Sequence, residues 1–269
     1  MEWIVSKFEN RYLDQLDDLP PKEWQSNAYD LFTYNDWQPW FHPYQVVDGQ
    51  KLAGFGMLFH FDDLAWLGWI VVDKKYRGKG IGTSITNHLL SEGKKLGAGR
   101  FILTATELGY PIYEKIGFST TSHYYFLTPP ANYKTIYNRS KIRTATYSDL
   151  DAIVDMDVQA TGENRKELLE SHLENTFVYT DETATGFFIE SLGDGFVVAQ
   201  NADAGENLMN FRIKKQKNKV VIPEGNKAII EDLKEKGFTV TAKVPRMVMG
   251  KESNWRPQMI YNRGSGYCG

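Results

Sequence analysis

The sequence predicts an α/β protein of two domains built as echoing halves. Two observations carry this. Strand-type runs alternate with stretches of helical periodicity, and Gly-Phe landmarks recur in the same order along the chain. The length of 269 residues exceeds one ordinary core and suits two.

Residues 44–47 and 52–59 read as strands joined at Asp48-Gly49, a dipeptide that favours a tight hairpin turn. Residues 64–72 contain almost no polar side chain, as expected for a strand covered on both faces. A polar, Gly-rich turn over 73–82 follows. Ile81, Ile85 and Leu89 then share one helical face, and Lys94 and Lys95 complement the carboxyl end of that helix. Residues 100–106 form another strand. A short helix over 111–116 opens with Pro111 and closes at Gly117. Strand-type residues resume at Phe118 and stop at Pro129-Pro130.

The second half repeats this outline. Strands are expected over 177–179, 186–190, 195–199 and 220–222, with a helix over 226–236 ending at Gly237-Phe238. Gly54-Phe55 matches Gly186-Phe187, and Gly117-Phe118 matches Gly237-Phe238. The landmarks lie 63 residues apart in the first half and 51 in the second, so the second copy is shorter where the first holds its Gly-rich turn. The expected domains are 1–130 and 146–269, with 131–145 as linker and first strand region. A capping box over 148–151 is expected to open the next helix.

Composition narrows the function. Hydrophobic residues make up 42% and charged residues 24%, which is ordinary globular usage. A net charge of -3 without a long basic run gives no field to gather nucleic acid. The start Met1-Glu2-Trp3 lacks the pattern of a secretory signal, and no apolar run approaches a membrane span, so a cytoplasmic protein with no membrane partner is expected. The single Cys268, beside the chain end, reads as incidental. The sequence leaves room for a homodimer.

The informative run is Val71-Val72-Asp73-Lys74-Lys75-Tyr76-Arg77-Gly78-Lys79-Gly80-Ile81-Gly82-Thr83. A buried strand leads into alternating glycines, and the helix that starts there points free N–H groups and a positive dipole end outward. That arrangement binds phosphate oxygens, and Arg77 and Lys79 add charge. A dinucleotide fingerprint would need glycine where Thr83 stands. A P-loop would need Ser or Thr directly after Lys79, where Gly80 stands. Neither fits. His42, His60, His88, His123 and His172 show no metal-ligand spacing, His88 reads as a surface residue of the helix, and no metal is expected.

Arg77-Gly78-Lys79-Gly80-Ile81-Gly82 resembles the phosphate turn of the GNAT superfamily of N-acetyltransferases. Tyr113-Glu114-Lys115-Ile116-Gly117-Phe118 is similar to a second landmark of that family. The first 128 residues carry the resemblance well, and from about 140 onward the chain looks like the degenerate second domain of tandem GNAT proteins, including Pro245-Arg246-Met247. Lys74 departs from the family, where Pro is common. The resemblance implies two tandem GNAT-like domains, each a mixed twisted sheet flanked by helices. It further implies that acetyl-CoA is held by Ile70, Val71, Val72, Arg77, Gly78, Lys79, Gly80, Ile81, Gly82 and Thr83. Tyr113 is the implied general acid for the departing thiolate; the alternative is a half-buried helix tyrosine anchoring the Gly117 turn.

Asp62, Asp63 and Glu107 are candidates for the general base, although each reads first as a solvated loop acid, and the sequence leaves the base open. In the second half the counterpart of the phosphate turn is placed at 199–207, which has no Arg, no alternating glycine and two acids, so no acetyl-CoA is expected there. Asp155, Asp157, Glu163 and Arg165 read either as an amine-recognition group or as solvated helix-end charges. The leading expectation is transfer of an acetyl group to a primary amine of a small molecule or amino acid by direct attack. A non-catalytic acetyl-CoA sensor or interaction module, and a protein N-acetyltransferase, are the alternatives.

Overall fold

Asp48 and Lys51 pair across a two-residue turn in which Gly49 takes φ 61°, and this turn sets the first hairpin. The computed structural model describes residues 3–21, 28–181, 183–216, 219–252 and 254–267; Met1-Glu2 and Cys268 lie outside the described residues. Two compact units emerge. One comprises Met1–Ser119 with Met247–Lys251, the other Thr120–Arg246 with Glu252–Gly269. The division after Ser119 precedes the boundary at 130 read from the sequence.

The first unit contains β1 (Ser6–Lys7), α1 (Leu13–Leu16), α2 (Ala28–Asn35), β2 (Phe41–Asp48), β3 (Lys51–Phe61), β4 (Leu64–Val72), α3 (Ile81–Lys95), β5 (Arg100–Thr104) and α4 (Tyr110–Ile116). The strands lie side by side in chain order, antiparallel through β4, with β5 parallel to β4. Ile81, Ile85 and Leu89 are buried against this sheet, as their spacing predicts. Two glycines set how closely α3 lies on β3. A Cβ on Gly54 would stand 2.8 Å from Cγ2 of Ile81, and one on Gly56 would stand 2.5 Å from Cγ2 of Ile85. Close approach there delivers the helix N-terminus to the end of β4. Met247, from far along the chain, is fully buried in this same core.

The second unit contains β6 (Ser119–Thr128) from Thr120 on, β7 (Ile142–Thr144), α5 (Leu150–Thr161), α6 (Lys166–Ser171), β8 (Thr176–Asp181), β9 (Thr183–Ile189), β10 (Phe196–Ala199), α7 (Ala202–Gln216), β11 (Val220–Pro223), α8 (Lys227–Glu235), β12 (Thr239–Met249) as far as Arg246, and β13 (Ile260–Asn262). The order β8-β9-β10-α7-β11-α8-β12 reproduces β2-β3-β4-α3-β5-α4-β6. The shared landmarks have shared causes. Gly186 admits Leu208 of α7 as Gly54 admits Ile81 of α3, with a Cβ on Gly186 falling 2.9 Å from Leu208 Cδ1. Gly117 and Gly237 take φ 115° and 87°, and the next residue, Phe118 or Phe238, donates its N–H back to Tyr113 or Leu233. β13-β10-β9-β8-β7 form one sheet, while β6 lies between β12 and β11.

The expected capping box is displaced by two residues. Thr146, not Ser148, caps the turn leading into α5, and its N–H and hydroxyl meet the Asp149 carboxylate at 2.8 and 2.9 Å. Arg143 adds two contacts of 2.7 Å to Asp149. These contacts, the Arg143 pair foremost, lower the Asp149 pKa to about 2 from an ordinary 3.8. Asp157, Glu163 and Arg165 are all buried rather than solvated, and Arg165 forks onto Asp157 at 2.8 and 2.9 Å while reaching Glu163 at 3.2 Å. Asp155, by contrast, is exposed.

Because the folded Asp149 pKa is depressed, its stabilisation is present above about pH 4 and lost as pH falls toward 2. Asp149→Asn is expected to lower stability at pH 7 by ~1–2 kcal/mol in urea unfolding. The deficit should shrink as pH falls toward 2; an equal deficit at pH 7 and pH 2.5 contradicts the assignment.

Candidate functional site

β4 carries the decisive irregularity. On β3, Phe55 faces Val71 and Met57 faces Gly68, so Trp69 and Ile70 together oppose Gly56. That is a bulge, and Trp69 within it adopts φ 48°, a left-handed conformation rare for a bulky side chain. On the other side β5 pairs with β4 only from Leu64–Arg100 to Trp66–Ile102. Beyond that point the two strands part, although β4 continues to Val72. A cavity of about 850 Å³ opens here, entirely within the first unit.

Ile70, Val71 and Val72 line it from the parted strand, and Arg77, Gly78, Gly80, Ile81, Gly82 and Thr83 line it from the loop and the first turn of α3. Gly78 and Gly80 have φ 75° and 85°, with open space where a Cβ would be, so backbone angle rather than crowding demands glycine. Gly80 caps α3 with no side chain to occupy the first amides, and Gly80 to Thr83 all line the cavity. Arg77 donates from Nε to the Val72 carbonyl at 3.1 Å, which fixes the guanidinium at the cavity wall. Lys79 behaves differently from its neighbours. It is not among the wall residues, and its ammonium lies over the Tyr76 ring at 5.1 Å. The loop thus offers one arginine, a helix N-terminus and glycine backbone: a fit to a pyrophosphate.

Tyr113 enters the wall from α4, together with Ile112 and the loop residues Thr106, Glu107, Leu108 and Gly109. It is 7% exposed, and burial pushes its phenol well above the ordinary range, so it carries its proton throughout the physiological range. A Cβ on Gly109 would stand 2.7 Å from the Tyr113 ring, so glycine there lets the loop close over it. Of the three acids weighed from sequence, only Glu107 lies on the cavity. Asp63 is tied to Arg100 at 2.9 Å, and Asp62 sits in an exposed turn. His88 is half-buried rather than on the surface, its ring 4.6 Å from that of Tyr44, and burial lowers its pKa. Among the described residues no cluster of three His, Cys, Asp or Glu is arranged to hold a metal, and no helix is long and apolar enough to cross a membrane.

Residues 9–118 match the acetyltransferase (GNAT) family, and residues 153–262 match an acetyltransferase (GNAT) domain. The chain belongs to the GNAT acetyltransferases, with two such domains in tandem. This family uses acetyl-CoA. A curated relative, an uncharacterised N-acetyltransferase of Bacillus subtilis, is 32% identical over 134 residues, taking in 48% of this chain. The chain spans only 45% of that relative's length in the match. A putative acetyltransferase from Pyrococcus horikoshii has the same fold, with a TM-score of 0.82 at 19% identity over 99% of this chain and 96% of that one. A tandem GNAT protein from the clavulanic acid biosynthesis pathway gives a TM-score of 0.63 at 12% identity, over 93% of this chain and 98% of that one.

The second GNAT domain lacks the corresponding features. Its equivalent of the phosphate turn is shorter than the expected 199–207, because α7 already begins at Ala202. The Asn201 side chain accepts the Ala204 N–H at 2.9 Å, and Asp203 in the first turn accepts from the Tyr179 hydroxyl at 2.6 Å. Where β4 parts from β5, β10 instead pairs with β13, and Tyr261 of β13 presses on α7 so closely that a Cβ on Gly205 would fall 2.2 Å from its ring. One early amide is taken by Asn201, and the space beside Gly205 is taken by the Tyr261 ring.

A side chain at position 80 must accept φ 85°. Gly80→Ala is expected to cost ~1–2 kcal/mol by left-handed strain alone, read by urea unfolding. An unchanged midpoint would show that the loop relaxes out of this conformation.

Proposed function

We propose that this GNAT protein moves the acetyl group of acetyl-CoA to a primary amine of a small molecule or amino acid by direct attack. The observation that carries the reading is the convergence, on one cavity, of the glycine loop with Arg77, the parted edge of β4, and the buried Tyr113. Arg77, the amides of Gly78–Thr83 and the α3 dipole hold the pyrophosphate. Backbone groups of Ile70, Val71 and Val72, released from pairing with β5, receive the pantetheine arm and polarise the thioester carbonyl.

The amine nitrogen attacks the carbonyl carbon, the C–S bond breaks, and an amide and CoA thiol result. The nitrogen's proton passes to water or to Glu107, the acid on the described wall. Tyr113 keeps its proton at neutral pH and donates a hydrogen bond to the departing sulfur, which takes the proton of the product thiol from water. Its high pKa disfavours complete transfer to a thiolate of ordinary pKa about 8.5. Hydrogen bonding that strengthens as charge builds on sulfur is therefore the larger part of its role. The second domain does not bind acetyl-CoA in this reading.

Arg77→Glu is expected to weaken CoA binding at least a hundredfold by calorimetry, since it trades a cation for an anion beside phosphates. Affinity equal to the parent protein's would remove the reading. Tyr113→Phe is expected to reduce kcat by about ten- to a hundredfold with KM for acetyl-CoA little changed. An amine panel read by released CoA supplies the acceptor, and absence of turnover with every amine would turn the protein into a binding module.

A further inference from the structure

The pyrophosphate loop is held from behind by Trp3 and Asp48, which lie off the cavity wall and meet on Tyr76, itself a wall residue. Trp3 donates its indole N–H to the Lys79 carbonyl at 2.9 Å. Its ring meets the edge of Tyr76 with centroids 6.1 Å apart, the Tyr76 hydroxyl donates to the Asp48 carboxylate at 3.0 Å, and Lys79 covers the Tyr76 face. A chain segment near the start, the end of β2 and the loop itself thus meet on one ring.

The bond to Lys79 has a directional consequence. In a trans peptide the C=O and the following N–H point in opposite directions. With the Lys79 carbonyl drawn toward Trp3, the Gly80 N–H points away from it. Gly80 lines the cavity, and it is the residue at which α3 is capped. Glycine at 78 and 80 leaves this stretch free to rotate, so the amide direction has to be imposed from outside.

We propose that Trp3, with Asp48 acting through Tyr76, is a positioning residue that aims the Gly80 amide at the cofactor's pyrophosphate. This rests on the reading that the Arg77–Gly82 loop holds that group. Trp3→Phe keeps an aromatic ring against Tyr76 and removes only the N–H donor. Calorimetry with CoA should show about tenfold weaker binding, and kinetics should show a raised KM for acetyl-CoA with kcat retained. With S-acetylpantetheine, a donor that has no pyrophosphate, Trp3→Phe should match the parent protein. A loss that is equal for both donors would mean a general structural role and overturn the proposal. So would unchanged CoA affinity.

Asp48→Ala supplies an independent variant on an exposed side chain, and should weaken CoA several-fold with the same donor selectivity. Unchanged affinity there removes the Asp48 arm. Melting curves establish that each variant is folded at the assay temperature. The two readings separate cleanly. If Arg77→Glu weakens CoA while Trp3→Phe does not, the brace alone fails; if neither does, the loop is not the pyrophosphate site.

Discussion

The geometry of the first domain depends on the bulge at Trp69. A tryptophan held at φ 48° stores roughly 1–3 kcal/mol of backbone strain. The surrounding register over-determines it: Met57 faces Gly68 before the bulge, and Phe55 faces Val71 after it. Gly56 opposite contributes by having no side chain, because a Cβ there would crowd Ile85 and sit 3.4 Å from Ile70. The strand changes course at this point, and its far edge is no longer matched to β5. Backbone groups are obligatory hydrogen bonders, so an edge released inside a domain is an edge prepared for another partner. The cavity opens where that edge is released, and the glycines at 54 and 56 bring the start of α3 to its end.

The second domain shows what the same topology becomes without it. Its strand β10 keeps a neighbour, β13, and the Tyr261 ring fills the space against Gly205. Two residues rather than eight separate its central strand from the following helix, and Asn201 takes an early amide where the first domain has Gly80 with no side chain to cap. Arg165, buried with Asp157 and Glu163, needs both carboxylates because an unpaired buried guanidinium would be costly. Identical element order therefore yields a cavity beside the parted strand in one case and a strand edge covered by β13 in the other. The difference lies in how one strand edge and one helix start are satisfied.

Much of this was legible where the cause is local. Glycines at 78 and 80 announce positive φ, and the apolar run at 64–72 announces a covered strand. The Gly-Phe pairs mark a close helix approach and a helix stop, both enforced by the missing Cβ. What stayed hidden depends on burial or on competing local choices. Nothing in the sequence around Trp69 signals a left-handed residue, since tryptophan favours strands. His88 and Arg165 read as surface groups because only the folded sheet covers them. The misplaced cap had a local double: Thr146–Asp149 and Ser148–Asp151 have the same spacing, and Arg143 favours the former by binding Asp149. The second domain's turn was expected too long because its polar residues resemble a loop, whereas Asn201 and Asp203 are helix-start residues in place.

The loop also corrects the intuition that every cation in a phosphate motif faces phosphate. Lys79 sits between two lining glycines, yet its ammonium rests on Tyr76 and its carbonyl is taken by Trp3. An exposed cation–π contact of this kind contributes only about 0.5–1 kcal/mol. It nonetheless withdraws a flexible, strongly hydrated charge from the cavity. Arg77, tethered through Nε to Val72 at the end of the bulged strand, stays at the cavity wall. In the proposed reading, anion binding is carried mainly by fixed backbone dipoles and one oriented guanidinium. Such donors need no reorganisation when the ligand arrives, and their precision depends on whatever holds the loop from behind.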